Sequence, residues 1–161
     1  MKRKIKQVPT PEPFAKPEEL FAHIPYLVSR LASSWNAELG RRLESYEIST
    51  TMLRTLSLLH IFKTLTVNEI AELAIAEQSS ASRAVDQLVV AGLVQRRISQ
   101  TDQRRREVVL SKRGESLLRS AWPAMATGYA RLAAGIDSEA LATTARTLVQ
   151  MIENMRGEGL P

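Results

Sequence analysis

The sequence predicts a mainly α-helical protein with one small β-hairpin, its long N- and C-terminal helices flanking a compact central unit. Three observations support this. From Pro17 to Met155, apolar residues recur at three- and four-residue spacings, the period of a helix with one buried face. One segment departs from that period: Val94, Arg96 and Ile98, then Val108 and Leu110, alternate on either side of an arginine-rich turn. Just before it lies a helix whose first turn is built from small hydroxyl side chains and one arginine and which a glycine, Gly92, ends. Helix, strand, arginine-rich turn and strand in that order have the layout of a winged helix, with a helix sized for a DNA major groove and a turn for the flanking minor groove; with the helix before it, this predicts a winged helix-turn-helix.

The first 16 residues carry three prolines and no helical period, so they are expected to form an extended basic arm. Residues 17–161 are then read as a single domain, since a chain of 161 residues is long enough to bury one core. Pro17 with Glu18 and Glu19 makes a good first helical turn: proline lacks the N–H that would go unsatisfied there, and the acids suit the helix dipole. Leu20, Ile24, Leu27, Val28, Leu31, Trp35, Leu39 and Leu43 keep helical spacing, and Pro25 either kinks this helix or splits off a short lead-in. Ser49 or Thr50 can cap a second helix with Met52, Leu53, Leu56, Leu59 and Phe62 inside.

Thr66-Val67-Asn68-Glu69 has the form of a capping box and opens a short third helix with Ile70, Leu73 and Ala74 inward. After a turn near Ile75–Glu77, a fourth helix places Ala81, Ala84, Val85 and Leu88 inward. Gln78, Ser79, Ser80, Ser82, Arg83 and Gln87 are left as candidate DNA contacts. Arginine reads guanine bidentately, glutamine reads adenine, and serines reach base edges or phosphate. The hairpin follows, with Asp102, Arg104, Arg105 and Arg106 as candidate contacts in the wing between Gln100 and Arg106. Asp102 lies two residues before Arg104, where its carboxylate can orient an arginine. Thr66, Asn68 and Lys112, at helix N-termini, are candidate phosphate contacts.

Ser111 caps a fifth helix carrying Leu117, Leu118, Ala121, Trp122, Met125, Tyr129 and Leu132, with Pro123 as a bend. Asp137 or Ser138 starts a sixth, with Leu141, Leu148, Val149, Ile152 and Met155. The winged unit occupies 49–114. The segments 17–45 and 115–156 add an apolar surface that a monomer would find hard to cover, so they are expected to form a homodimer interface.

Charge and composition narrow the function. Net charge is +5; Arg96 to Arg113 holds seven basic residues against Asp102 and Glu107, so this span carries all of it and the remainder is neutral. Such a local excess points to a polyanion. Cysteine is absent, which excludes disulfides, thiolate metal sites and thiol-based oxidant sensing. His23 and His60 are the only histidines, and no metal motif, phosphate loop or nucleophile–base pair accompanies them. The expectation is therefore a protein that is not an enzyme and needs no metal or cofactor. No apolar run approaches the roughly 18 residues of a membrane span. Prolines follow Lys2, Arg3, Lys4 and Lys6 where a signal peptide would be apolar, so a cytoplasmic location is expected.

Three motifs in register resemble the MarR family of bacterial transcriptional regulators. Leu65-Thr66-Val67-Asn68-Glu69-Ile70-Ala71 is similar to the family's L-T-x-x-E-L-A. Ser79-Ser80-Ala81-Ser82-Arg83-Ala84-Val85-Asp86-Gln87-Leu88 with Gly92-Leu93-Val94-Gln95-Arg96 is similar to S-x-V-[ST]-R-x-V-D-x-L-x-x-x-G-L-V-x-R. Asp102-x-Arg104 with Val108-x-Leu110-Ser111-x-x-Gly114 is similar to D-x-R-x-x-x-V-x-L-T-x-x-G. The motifs cover about residues 65–114, and the helix order extends the likeness from about 17 to 156.

The resemblance implies an intertwined homodimer on pseudo-palindromic promoter DNA, usually a repressor, released when a small aromatic or phenolic ligand enters a crevice beside the dimer helices. It gives Ser79, Ser80, Ser82 and Arg83 the major-groove role and Arg104 the minor-groove role, with Asp102 in support. Candidate crevice residues near the junction of the first, second and fifth helices are Trp35, Tyr46, His60 and Trp122. Two residues depart from the pattern: Ile75 stands where many relatives have a turn glycine, and Glu77 where a serine or threonine cap is common. The alternative reading, from another class, is a winged-helix protein-interaction module whose basic wing docks an acidic partner.

Overall fold

A computed structural model describes residues 13–99 and 102–156. Most of the expected arm, and Gln100 and Thr101 of the expected wing tip, lie outside the described residues. Two compact units divide between Ala37 and Glu38.

In the first unit, α1 (Pro17–Phe21) begins on Pro17 with Glu18 and Glu19 in its first turn, as the sequence predicts. It ends at Ala22, and α2 (Ile24–Leu43) follows. Pro25 falls in the first turn of α2, where no intrahelical N–H bond is lost. Of the two outcomes open for Pro25, it is the split lead-in that forms.

The second unit takes the end of α2, a 3-10 turn (Glu44–Tyr46), α3 (Thr50–Phe62), β1 (Thr64–Leu65), α4 (Val67–Leu73), α5 (Gln78–Val90), β2 (Val94–Ile98), β3 (Arg106–Leu110), α6 (Lys112–Leu132) and α7 (Ser138–Arg156). Each cap follows from its residue. Ser49 Oγ accepts from the Met52 N–H to start α3. Thr66 and Glu69 form both halves of the capping box of α4. Asp137 Oδ1 accepts from the N–H groups of Glu139 and Ala140 to start α7. The core is apolar and closely filled: Leu53, Leu56 and Leu59 of α3, Ile70 of α4, Val85 and Leu88 of α5, Val94 and Val108 of the sheet are all fully buried.

The sheet adds to the expected hairpin. β2 and β3 pair antiparallel, Val94 opposite Leu110 and Arg97 opposite Glu107. β1 pairs with the other edge of β3, Thr64 opposite Val109, giving the order β1-β3-β2. Two residues are too short to show a strand's alternation in sequence, so β1 leaves no periodic signal.

The helices α4 and α5 end alike. After α5, Gly92 takes φ +70°, Leu93 N–H reaches the Leu88 carbonyl at 2.8 Å and Gly92 N–H the Val89 carbonyl at 2.9 Å. This is a Schellman motif with glycine at its left-handed position. After α4 the same bonds run from Ala76 to Ala71 (2.9 Å) and from Ile75 to Glu72 (3.1 Å), and the left-handed residue is Ile75, φ +54°. A β-branched residue is strained there.

Candidate nucleic-acid interface

The inward and outward faces of α5 fall where the helical period puts them. Ala81, Ala84, Val85 and Leu88 are buried. Gln78, Ser79, Arg83 and Gln87 are exposed, while Ser80 and Ser82 are half-buried. Small residues along the helix start let a backbone approach a groove floor closely. Arg83 Nε donates to the Ser79 carbonyl one turn back at 3.2 Å. That bond leaves both terminal nitrogens of the guanidinium without an ion partner among the described residues. Glu77 occupies the N-cap position but makes no side-chain cap; its backbone carbonyl accepts from Ser80 and Ala81 instead. Asp86, on the outer face, pairs with Arg96 of β2 at 2.8 Å, which ties the helix to the hairpin. The ten-residue separation of that pair gave no signal in the sequence.

In the wing, Asp102 acts on the backbone. Its Oδ1 accepts from the Arg104 N–H at 2.9 Å, and its carbonyl accepts from the Arg105 N–H at 2.9 Å. Asp102 thus shapes the turn that presents Arg104, in place of gripping a guanidinium. Arg104 and Arg106 are exposed and have no ion pair among the described residues. Arg105 is engaged: its Nη2 donates to both oxygens of Glu69, at 2.8 and 2.9 Å.

The candidate phosphate contacts are placed unequally. Asn68 is exposed in the first turn of α4, and Lys112 at the first position of α6. Thr66 is half-buried, and its hydroxyl is taken up in the capping box, accepting from the Glu69 N–H and donating to Glu69 Oε2. The backbone N–H of Thr66 is the largest influence holding the Glu69 carboxyl below its ordinary range; the Thr66 hydroxyl and Arg105 add to it, against a partial burial that acts the other way.

Two of the four candidate crevice residues come together. His60 and Trp122 line one apolar cavity of about 330 Å³ with Ser57, Ile61, Leu118 and Arg119, and the Ser57 Oγ is buried there with no hydrogen-bond partner among the described residues. Tyr46 does not line that cavity. Its hydroxyl donates to the Ser120 carbonyl at 2.9 Å, and it lines a different cavity with Ile48, Met52 and Leu93. It precedes α3, whereas His60 lies near the far end of that helix, roughly 15 Å of helix beyond Thr50. Trp35 belongs to the first unit.

Sequence reading also missed the ion network at the wing's base. Arg97 Nε lies 3.2 Å from Glu107 Oε2 and Arg97 Nη2 donates to Thr64 Oγ at 3.0 Å; Glu107 in turn sits 3.9 Å from Arg105 Nε. The cross-strand register of Arg97 and Glu107 was the only signal that could have found it, and it required β2 and β3 to be aligned first. Among the described residues no group of three or more His, Asp or Glu could hold a metal ion, and no helix is long and apolar enough to cross a membrane.

A model of the MarR family matches residues 46–105, from the 3-10 turn to the wing. A solved MarR family transcriptional regulator from Silicibacter pomeroyi is 38% identical, with a TM-score of 0.81, over 88% of this chain and 95% of its own. A second regulator of that family from Silicibacter pomeroyi is 30% identical, TM-score 0.78, over 88% and 95%. CouR from Rhodococcus jostii, solved bound to p-coumaroyl-CoA, shares the fold at 20% identity, TM-score 0.75, over 82% and 93%. No curated protein matches significantly. The chain belongs to the MarR family of transcriptional regulators.

Proposed function

We propose that this protein is a sequence-specific DNA-binding regulator, a homodimeric repressor of pseudo-palindromic promoter sites. One observation carries the reading: the exposed Gln/Ser/Arg face of α5 lies beside a hairpin that, together with Lys112 and Arg113 at the start of α6, holds the whole net charge of +5. Gln78, Ser79, Ser80, Ser82, Arg83 and Gln87 supply base choice. Arg104 and Arg106, with Asn68 and Lys112, supply contacts to the backbone and minor groove. Exposed Trp122 and Tyr129 on α6, and Val149, Ile152 and Met155 on α7, support a second copy as the cover for these helices. Two copies related by a two-fold axis would meet half-sites about one helical turn, roughly 34 Å, apart.

Release by a small molecule fits the His60–Trp122 cavity, whose apolar walls, indole and orphan Ser57 hydroxyl suit an aromatic or phenolic body with one polar group. A ligand preferring the DNA-incompetent arrangement by about 1–3 kcal/mol would change occupancy several-fold or more. Selecting bound sites from random duplex DNA, then footprinting the winner over a salt series, tests the proposal. A two-fold symmetric footprint with steep salt dependence is expected. Salt-dependent binding with no footprint would instead favour docking of the wing to an acidic partner.

A further inference from the structure

Adjacent arginines of the wing are held in opposite ways. Arg104 has its backbone fixed by Asp102 and its side chain exposed, with no ion partner among the described residues. Arg105 lies between two carboxylates, with Nη2 on both oxygens of Glu69 and Nε 3.9 Å from Glu107. Glu107 is 9% exposed and has Arg97 as a second partner, which reaches Thr64 on β1. Glu69 Oε2 also accepts from the backbone N–H of Thr66 at 2.7 Å. A continuous chain of polar contacts therefore runs from β1 through β2, β3 and the wing to the N-terminus of α4. The Arg105–Glu69 pair is partly exposed, yet a phosphate approaching Arg105 would meet two carboxylates at close range and would have to displace contacts already made.

We propose that Arg105 is a positioning residue and not a DNA contact: its ion pair with Glu69 fixes the hairpin against α4 and so sets where Arg104 enters the groove. This rests on the DNA-binding reading above. Glu69 has two duties that can be separated, because a glutamine at the third position of a capping box still accepts from the N-cap N–H. Glu69→Gln therefore keeps the α4 cap and removes the charge that holds Arg105.

The test is equilibrium binding of the full chain to its selected site, for wild type, Glu69→Gln, Arg105→Gln and the double variant, across a salt series, with melting temperatures to show that each is folded. Each single variant should weaken binding about three- to tenfold, and the double no more than the weaker single, because one coupling is lost in all three. The slope of log affinity against log salt should stay at the wild-type value. Site selection with either variant should show relaxed preference only at the flanking positions that Arg104 reads. If Arg105 instead touched a phosphate, Arg105→Gln would reduce the slope by about 0.9, and Glu69→Gln would leave binding unchanged or tighten it by freeing the arginine. That pattern overturns the proposal while leaving DNA binding intact. Failure of the wild type to select any site overturns both.

Discussion

The carbonyl oxygen of Leu93 stands where the Cβ of any larger residue at position 114 would have to go, so Gly114 alone lets the first turn of α6 sit against the end of α5. Ser111 completes the junction. Its Oγ donates to the Gly92 carbonyl at 2.8 Å and accepts from the Gly114 N–H at 3.0 Å, while its N–H reaches the Leu93 carbonyl at 3.0 Å. The motif Ser111-x-x-Gly114 thus has a physical reason: one residue caps α6 and the other makes room for the backbone it docks on.

Gly114→Ala should therefore destabilise the fold by about 2–4 kcal/mol, because the obstacle is backbone and not a flexible side chain. Ser111→Ala should cost about 1–2 kcal/mol, the range of a lost N-cap. Urea unfolding midpoints measure both.

The two left-handed helix stops should respond in opposite directions. Ile75→Gly should stabilise by about 0.5–1 kcal/mol, since relief of left-handed strain outweighs the added freedom of the unfolded chain. Ile75 is 84% exposed, so little packing is lost with its side chain. Gly92→Ala should destabilise by about 1 kcal/mol. Thermal melting of the two variants checks the sign of each.

Ser57→Ala should be neutral or slightly stabilising, by up to about 1 kcal/mol, because the hydroxyl it removes is buried with no partner among the described residues. A loss of more than about 1 kcal/mol in denaturant unfolding would show that the hydroxyl is satisfied in solution.

Acid should weaken the fold through named carboxylates. Glu69 is lowered first by the Thr66 N–H, Glu38 by Arg41 and then Arg42, and Glu115 by Arg119. With folded values below the unfolded value of about 4.3, these groups bind fewer protons in the folded state across that interval. Their contribution is present above pH 4.3 and is lost as pH falls through the folded values. Unfolding midpoints between pH 7 and pH 3 should drop, and Glu69→Gln should drop less steeply than wild type.

What was legible in the sequence was whatever rests on local chemistry. Thr66 with Glu69, Gly92 and the inward set of α5 follow from residue type and spacing alone, which also narrow two further caps to Ser49 or Thr50 and to Asp137 or Ser138. What was not legible depends on distant pairing: β1 against β3, Asp86 with Arg96, and Arg105 with Glu69 across 36 residues. The same holds for Tyr46 and Trp122: aromatic identity marks both as candidates, but only the fold decides which cavity each one lines.

Arg83→Ala separates an α5 that chooses the DNA sequence from one that only grips the backbone. Affinity should be measured at one salt concentration for the selected site and for random duplex. A loss of about 1–3 kcal/mol is expected on the selected site, with relaxed preference at one base pair in each half-site and almost no change on random DNA. Equal losses on both would contradict a choosing role for α5.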